Sequence, residues 1–480
     1  MKKIIEFVKL ISGLLKLMFL GVLMLVLTLY LSSVVRPKKD ELPNDTSRKV
    51  SGFYALQENS LDVLFMGTSH TYYGFNPSVI YERTGLNSYV FAGECQPISV
   101  TYHYLVEALK TQRPQLIVLD VFALLPQADT CQTDGIIKVN LEDLKISQNK
   151  VEALKLIEGE DLLQNILDIS IYKERWNQMT LEDLMYPLED HFNENFGYTE
   201  GYPVNEPLYV REVYFTDETK IPDRKELSYL YKIFKLVEEN ELDLLLVKTP
   251  YYETYEEYTI TNYIFQEAEE AGFSTINFNQ FYDELDFVFD RDGDVWHCNV
   301  RGAWKISNML SDFIFDHYTI SISESKYADE YHNQYIRTIQ KMFWSELEAE
   351  NYLTYLKDMK MTFLVNYKAK DECNLTADQW RLLNDMGIRK FDTSKNYLAV
   401  ISNGEVIYEL NHNKDFTDWM TVADKTITVS SYDDFVTFDV SGNAVEFNHY
   451  GLNVMTYDLT RNELIDRISL DTIWGFEILR

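Results

Sequence analysis

From Leu61 onward, short apolar runs alternate with amphipathic segments, and this alternation restricts the fold more than any other feature of the chain. LDVLFMG (61–67), SYVFAG (88–93) and PQLIVLDVFAL (114–124) are apolar runs of strand length. PSVIYERTG (77–85) fits a helix closed by Gly85, and ISVTYHYLVEALKTQ (98–112) spaces its apolar residues three and four apart. The pattern resumes downstream as helix RKELSYLYKIFKLVEENE (224–241), strand LDLLLVKTP (242–250), helix ITNYIFQEAEEAG (260–272) and strand FSTINF (273–278). Strands alternating with helices predict a parallel sheet with helices on both faces, an α/β fold. Right-handed crossovers then bring the carboxyl ends of the strands, and any site, to one edge of the sheet.

Between Asp129 and Asp223 the alternation lapses. LEDLKISQNKVEALKLIEG and DLLQNILDISIYKERWNQM read as helical, and GYPVNEPLYVREVYF as irregular. This insertion, about 129–223, is expected to lie over the site edge and shape it. Residues 321–356 read as a helical connector. Residues 357–480 read as a β-rich domain, in which Asn403-Gly404 sits between alternating stretches as a hairpin turn. The α/β domain is therefore expected over 51–320.

The amino end sets the compartment. Leu17 to Val35 is nineteen residues without a charge, preceded by Lys2, Lys3, Lys9 and Lys16. At about 1.5 Å per residue, a helix of that length comes close to the roughly 30 Å of a hydrocarbon layer. LYLSSVVRP offers a poor cleavage site for a signal peptide. Residues 1–36 thus read as a cytoplasmic tip and one uncleaved transmembrane anchor. Residues 37–50 form a polar linker, and the remainder lies outside the membrane. A formal charge of −32 excludes nucleic acid as a natural partner, since phosphates need cations against them. Cys95, Cys131, Cys298 and Cys373 show no C-x-x-C spacing, so neither a zinc site nor a redox dithiol is expected. Free thiols are the default reading. No metal or cofactor is called for.

Three short stretches carry the chemistry. In GTSH, Ser69 ends the first strand just before a helix, where a nucleophile would face the site edge with its own N–H near an oxyanion. In FDRDGDVWHCNV, Asp294 and His297 stand three apart in the loop after the last strand. That spacing lets the carboxylate hold one ring nitrogen while the other faces a serine. Asn299 reads as the N-cap of the helix that follows. In FAGECQPIS, Gly93 follows the second strand, where its backbone N–H would complete an oxyanion hole, and Gln96 would donate from its side chain. The alternative for this stretch is a plain turn with Pro97 opening a helix. His70 reads either as packing or as tuning the site. Lys248 meets either an anionic substrate or a nearby carboxylate, and His103 reads as packing.

Ser69 after the first strand, Gly93 after the second and Asp294-x-x-His297 after the last resemble the SGNH hydrolase superfamily. DVLFMGTSH, GECQPIS, VLDVFAL, LLLVKTP and HCNVRGAWKIS are similar to its membrane-anchored branch. That branch includes the alginate O-acetyltransferase proteins and the D-alanine-transfer protein of teichoic acid synthesis. The resemblance covers roughly Ser51 to Tyr318. It implies a flavodoxin-like, three-layer α/β/α sheet and a Ser69–His297–Asp294 triad. It also implies transfer of an acyl group, such as acetyl, from a membrane-bound O-acyltransferase partner through Ser69 to a polysaccharide hydroxyl. The superfamily's Gly-x-Asn-Asp block after the third strand is replaced here by LDVFAL, which leaves the third oxyanion donor unidentified.

FLVNYKAKDECNLTADQWRLLNDMGI and GLNVMTYDLTRNELIDRISLDT resemble the interleukin-like EMT-inducer domain, over about Met359 to Thr472. That likeness implies a sandwich-like, lectin-like fold with carbohydrate binding, or a structural contact module. Three readings of the chain follow: a surface-anchored O-acyltransferase, a carbohydrate esterase with the same triad, and a non-catalytic polysaccharide-binding assembly factor.

Overall fold

The computed structural model describes residues 2–36, 46–157, 166, 172–189, 191–203, 215–222, 224–281, 285, 289–294, 296–359, 361–369, 373–432, 435–473 and 476–480. Residues 37–45 of the linker expected at 37–50, and parts of the insertion (158–165, 167–171, 190, 204–214 and 223), lie outside the described residues. The rest of that expectation is corrected, because 46–50 open a helix, Thr46–Ala55, that packs Val50 and Phe53 into the core. The chain divides into two compact units, one ending at Gln334 and one running from Tyr335 to Arg480. The division falls inside a helix, Ala328–Ser345, within the connector expected at 321–356.

In the first unit five parallel strands make one sheet. They are β1 (Val63–Gly67), β2 (Ser88–Ala92), β3 (Leu116–Asp120), β4 (Asp243–Lys248) and β5 (Ser274–Asn277), in the spatial order β2-β1-β3-β4-β5. β1 runs in register with β2 from Val63↔Ser88 to Gly67↔Ala92. Alternate residues feed opposite faces. Leu64, Met66, Phe91, Ile117, Leu119, Leu244 and Leu246 enter one apolar core, and Phe65, Val90, Val118, Leu245 and Val247 enter another. Helices Ile98–Ala108, Arg224–Glu239 and Tyr255–Glu270 close the first face, and helices Pro77–Thr84 and Val300–His317 close the second. Burial on both faces explains why the strands read as continuous apolar runs rather than as alternating ones.

Local signals fix the helix ends. The Asn76 side chain accepts from Ser78 N–H, and Gly85 ends the same helix at φ +77°. Thr254 and Glu257 form a reciprocal capping box on the helix before β5. The outer edge of β2 would be an open ladder, but the insertion covers it. Val90 N–H donates to Phe196 C=O at 2.8 Å. Gly197 follows at φ +81°, and a Cβ there would lie 2.0 Å from Val90 O, so only glycine permits that approach.

The amino-terminal segment is one helix, Lys2–Val34, whose Lys9–Val34 portion is long and apolar enough to cross a membrane. Residues 11–27 are all exposed, while Ser32, Val34 and Val35 are buried against the first unit.

The second unit is antiparallel and β-rich. Its strands are β6 (Thr362–Lys368), β7 (Asn396–Ser402), β8 (Glu405–His412), β9 (Phe416–Val422), β10 (Lys425–Ser431), β11 (Val436–Val440), β12 (Asn443–Phe447), β13 (Gly451–Asp458), β14 (Glu463–Leu470) and β15 (Ile478–Leu479). They form a six-stranded sheet, β15-β14-β13-β6-β7-β8, and a four-stranded one, β12-β11-β10-β9. One apolar cluster draws Leu364, Leu398, Val400 and Met455 from the larger sheet and Ile427, Val429, Phe438 and Val445 from the smaller. Asn403 (φ +53°) and Gly404 (φ +77°) make the tight β7–β8 turn that their sequence predicts.

The expectation of four free thiols is corrected. Cys95, just past β2, and Cys131, at the start of the insertion, form a disulfide across 36 residues, with Cα atoms 5.8 Å apart. The sheet brings together two loops that sequence spacing alone does not relate. Cys298 and Cys373 remain free. Protein denatured without reductant should therefore titrate two thiols rather than four. A Cys95→Ser/Cys131→Ser double variant should lose about 3–4 kcal/mol in denaturant unfolding, the loop-closure value for a link of this length. Four titratable thiols would refute the bond.

Candidate active site

Gly67 turns the chain out of β1. Its φ is +148°, and a Cβ there would lie 2.2 Å from Thr71 Oγ1 and 3.1 Å from Asp120 Cβ. Thr68 then caps a short helix, Ser69–Gly74, by accepting from His70 N–H at 3.3 Å. Ser69 is the first residue of that helix, which places its hydroxyl at the carboxyl edge of the sheet. The run of small and polar residues in GTSH is the chemistry this tight strand-to-helix turn requires.

The facing loop comes from 228 residues further on. His297 Nε2 lies 2.8 Å from Ser69 Oγ, and His297 Nδ1 lies 2.6 Å from Asp294 Oδ2. The other oxygen of Asp294 accepts from Trp296 N–H at 2.8 Å and His297 N–H at 2.9 Å. Partial burial pushes the Asp294 pKa up. The side-chain bond and charge of His297, with the His297 and Trp296 N–H groups, outweigh it and hold the carboxyl below its ordinary value. The carboxylate therefore stays ionised and fixes the imidazole with Nδ1 as donor and Nε2 facing the serine. Below the loop, Asn299 accepts from Arg301 and Gly302 N–H and donates to the carbonyls of Phe289 and Arg291. It is both the N-cap read from the sequence and the tie that holds the loop to its helix.

Gly93 lies after β2 as expected. Neither its N–H nor that of Ser69 has a hydrogen-bond partner among the described residues. Two backbone donors near the carboxyl ends of β1 and β2 are thus unpaired among the described residues. A side chain at position 93 would collide with Asn140, whose Oδ1 lies 1.7 Å from an ideal Cβ. Asn140 comes from the insertion and was not singled out from the sequence. No local motif marks it, and only the fold brings it to Gly93.

Two expected roles are corrected. Gln96 is wholly buried, and its amide nitrogen donates to Thr101 Oγ1 at 2.9 Å, so it braces the start of the next helix and is not aimed at an oxyanion. Lys248 is also wholly buried. Its Nζ donates to Thr249 C=O at 2.8 Å and lies 3.6 Å from the Tyr251 ring centroid. No carboxylate pairs with it within 4 Å among the described residues, though Glu253, Asp120 and Glu257 raise its pKa against the larger lowering by burial. It is part of the buried floor and is not exposed at the sheet edge. Asp120 stands where a third oxyanion donor would be expected, but both of its oxygens are engaged as acceptors within the floor. It takes Phe122 N–H, Thr249 N–H and the Thr249 hydroxyl, tying β3 to β4.

Aromatic rings wall the site. The Tyr73 ring lies 4.7 Å from the His297 ring, and the Tyr72 phenol, held protonated by burial, lies beside the Ser69 hydroxyl. His70 stacks on Phe122 at 3.7 Å and sits 5.1 Å from both Tyr251 and His297. His103 bonds Asn149 at 2.8 Å, away from this cluster, as a packing residue.

No family model matches the chain, and no curated protein matches it. Among solved structures, a trimodular GH5_4 subfamily endoglucanase aligns with 91% of this chain and 99% of its own at 9% identity, with a TM-score of 0.14. A likeness that slight supports no argument about fold or function.

Burial, then the charges of His297 and Lys248, push the His70 pKa well below its ordinary value of 6.5. The folded imidazole therefore stays neutral while the unfolded chain takes up a proton. Its contribution to stability is complete above about pH 6.5 and declines as the pH falls towards the folded value. In His70→Phe the loss of unfolding free energy from about pH 6.5 to 5.5 should be shallower by up to about 1.4 kcal/mol per pH unit. Equal slopes in denaturant titrations would refute that assignment.

Proposed function

We propose that the chain is an extracytoplasmic O-acyltransferase of the SGNH type. It carries an acyl group, such as acetyl, on Ser69 and passes it to a hydroxyl of a cell-surface or secreted polysaccharide. The observation that carries this reading is the Ser69–His297–Asp294 relay at 2.8 and 2.6 Å. Strand order β2-β1-β3-β4-β5, which is that of flavodoxin-like sheets, supports the finer fold assignment.

In the proposed reaction His297 Nε2 takes the proton from Ser69 Oγ as the oxygen adds to the acyl carbonyl carbon. Negative charge develops on the carbonyl oxygen, which the unpaired N–H groups of Ser69 and Gly93 would stabilise. Collapse breaks the bond to the donor's leaving atom, which takes the proton from His297. Ser69 is left as an ester. An acceptor hydroxyl then gives its proton to His297 and attacks the same carbon, and Ser69 leaves and regains its proton. Asp294 remains a carboxylate throughout and stabilises the transient imidazolium.

The apolar helix supports a membrane anchor with its amino end in the cytoplasm and a membrane-bound O-acyltransferase as donor partner. The Cys95–Cys131 disulfide independently favours an oxidising, extracytoplasmic location. The two-sheet second unit, read as lectin-like, would hold acceptor polymer. With water as acceptor the same residues give a carbohydrate esterase, and without turnover the chain is a polysaccharide-binding assembly factor.

The full-length protein should release acetate or alcohol from a model acetyl ester. Ser69→Ala should lower the rate by about four decades, and Asp294→Asn by a comparable factor. Undiminished turnover in Ser69→Ala would exclude the mechanism. Addition of acceptor oligosaccharide, with mass spectrometry of its acetylation, separates transfer from hydrolysis.

A further inference from the structure

In a water-facing helix the i, i+3, i+4, i+7 apolar residues normally turn towards the core. Residues 181–188 do the reverse. Leu181, Leu184, Met185 and Leu188 have that spacing, and they are 76%, 36%, 49% and 66% exposed. They lie on a helix, Leu181–Met185, continued by a tighter turn, Tyr186–Leu188. Trp176, just before, is also exposed. The inward side is polar instead. Asp183 is buried, completes a capping box with Thr180 and pairs with Arg175 at 3.2 Å. These bonds lock the segment with its apolar stripe facing out.

The apolar amino-terminal helix packs on this same segment. The Tyr30 hydroxyl donates to Leu184 C=O, and the Arg175 guanidinium donates to Val35 C=O at 2.9 Å and to Arg36 C=O. Arg36 is the first charge after the uncharged run. Tyr30 stands six residues before it, about 9 Å along the helix axis. Amphipathic segments lying in a membrane interface bury their apolar side about 5–10 Å deep, which is the same depth.

We propose that residues 181–188 dip into the outer-leaflet boundary between headgroups and acyl chains beside the anchor, as a second membrane contact. This rests on reading the amino-terminal helix as an anchor. Lipid is the occupant the structure favours, because the stripe continues the surface of a helix whose residues 11–27 are exposed all round.

The test uses the full-length chain in phosphatidylglycerol/phosphatidylethanolamine nanodiscs, with a nitroxide at Leu188→Cys or Leu181→Cys in a Cys373→Ser background. Cys298 is buried and the other two cysteines are bonded, so neither competes for the label. Lys235→Cys, on an exposed helix face, is the aqueous control. The ratio of oxygen to nickel-chelate collisions should be several-fold higher at 181 and 188 than at 235. A ratio equal to that at 235 overturns the proposal, as does shielding from both reagents, the signature of a protein partner or a second copy. Release of the unlabelled chain from membranes by alkaline carbonate would refute the anchor as well, whereas a water-like label on an integral protein refutes the second contact alone.

Discussion

Asp294 accepts three hydrogen bonds from within four residues: two from backbone N–H groups of its own loop and one from the His297 ring. The backbone bonds fold the loop so that the imidazole cannot swing away, and the ring bond selects which nitrogen meets the serine. A carboxylate used this way does two jobs with one charge. Its remaining anchorage is Asn299, which ties the loop to the start of helix Val300–His317. Glycine at 302 lets that helix approach closely, since a Cβ would lie 2.3 Å from Asp290 O. The histidine is therefore held by a packed helix and not by a free loop, which is what pre-organised chemistry requires.

The serine side is built differently. Its position comes from a parallel sheet buried on both faces and from a turn at Gly67 that leaves no room for a side chain. Beneath it lie Asp120, Lys248, Glu253 and His70, polar groups that burial drives towards their neutral forms. Buried polar groups of this kind are costly unless partnered. Asp120 is fully engaged by Thr249 and Phe122, so the floor is rigid where β3 and β4 end. The site thus joins two rigid bodies, a sheet edge and a capped helix, across one imidazole.

Much of this could be read from the chain. Continuous apolar runs marked β1 to β5, Gly85 and Asn299 marked helix ends, and the pattern Ser69 with Asp294-x-x-His297 marked the residues that converge. Each of these is encoded locally, by period, cap or spacing. What was not legible depends on which loops the fold makes neighbours. Cys95 and Cys131 carry no pairing signal in their spacing. Gln96 and Lys248 lie at the right strand ends, but nothing in their neighbours reveals that one braces Thr101 and the other turns under Tyr251. Asn140 reaches Gly93 only because the insertion folds back over the edge, and an insertion with no regular alternation gives no register to read.

The proposed chemistry faces a competition that this geometry helps to define. Ser69 is 7% exposed, but Asp294 is 43% exposed on its side chain and His297 19%, so the relay opens towards solvent. Water then has a path to the Ser69 ester, and the same imidazole that activates a sugar hydroxyl would activate water. Preference for a sugar over water must therefore come from holding the acceptor, through the effective concentration gained when its hydroxyl is fixed at His297 Nε2. Exclusion of solvent by the protein alone does not supply it. Tyr72 and Tyr73, buried beside the pair, share the turn that positions the serine. Nucleophile placement is then a property of one short stretch, Gly67 to Tyr73, and under the proposed chemistry transfer would prevail only while an acceptor hydroxyl is held at His297.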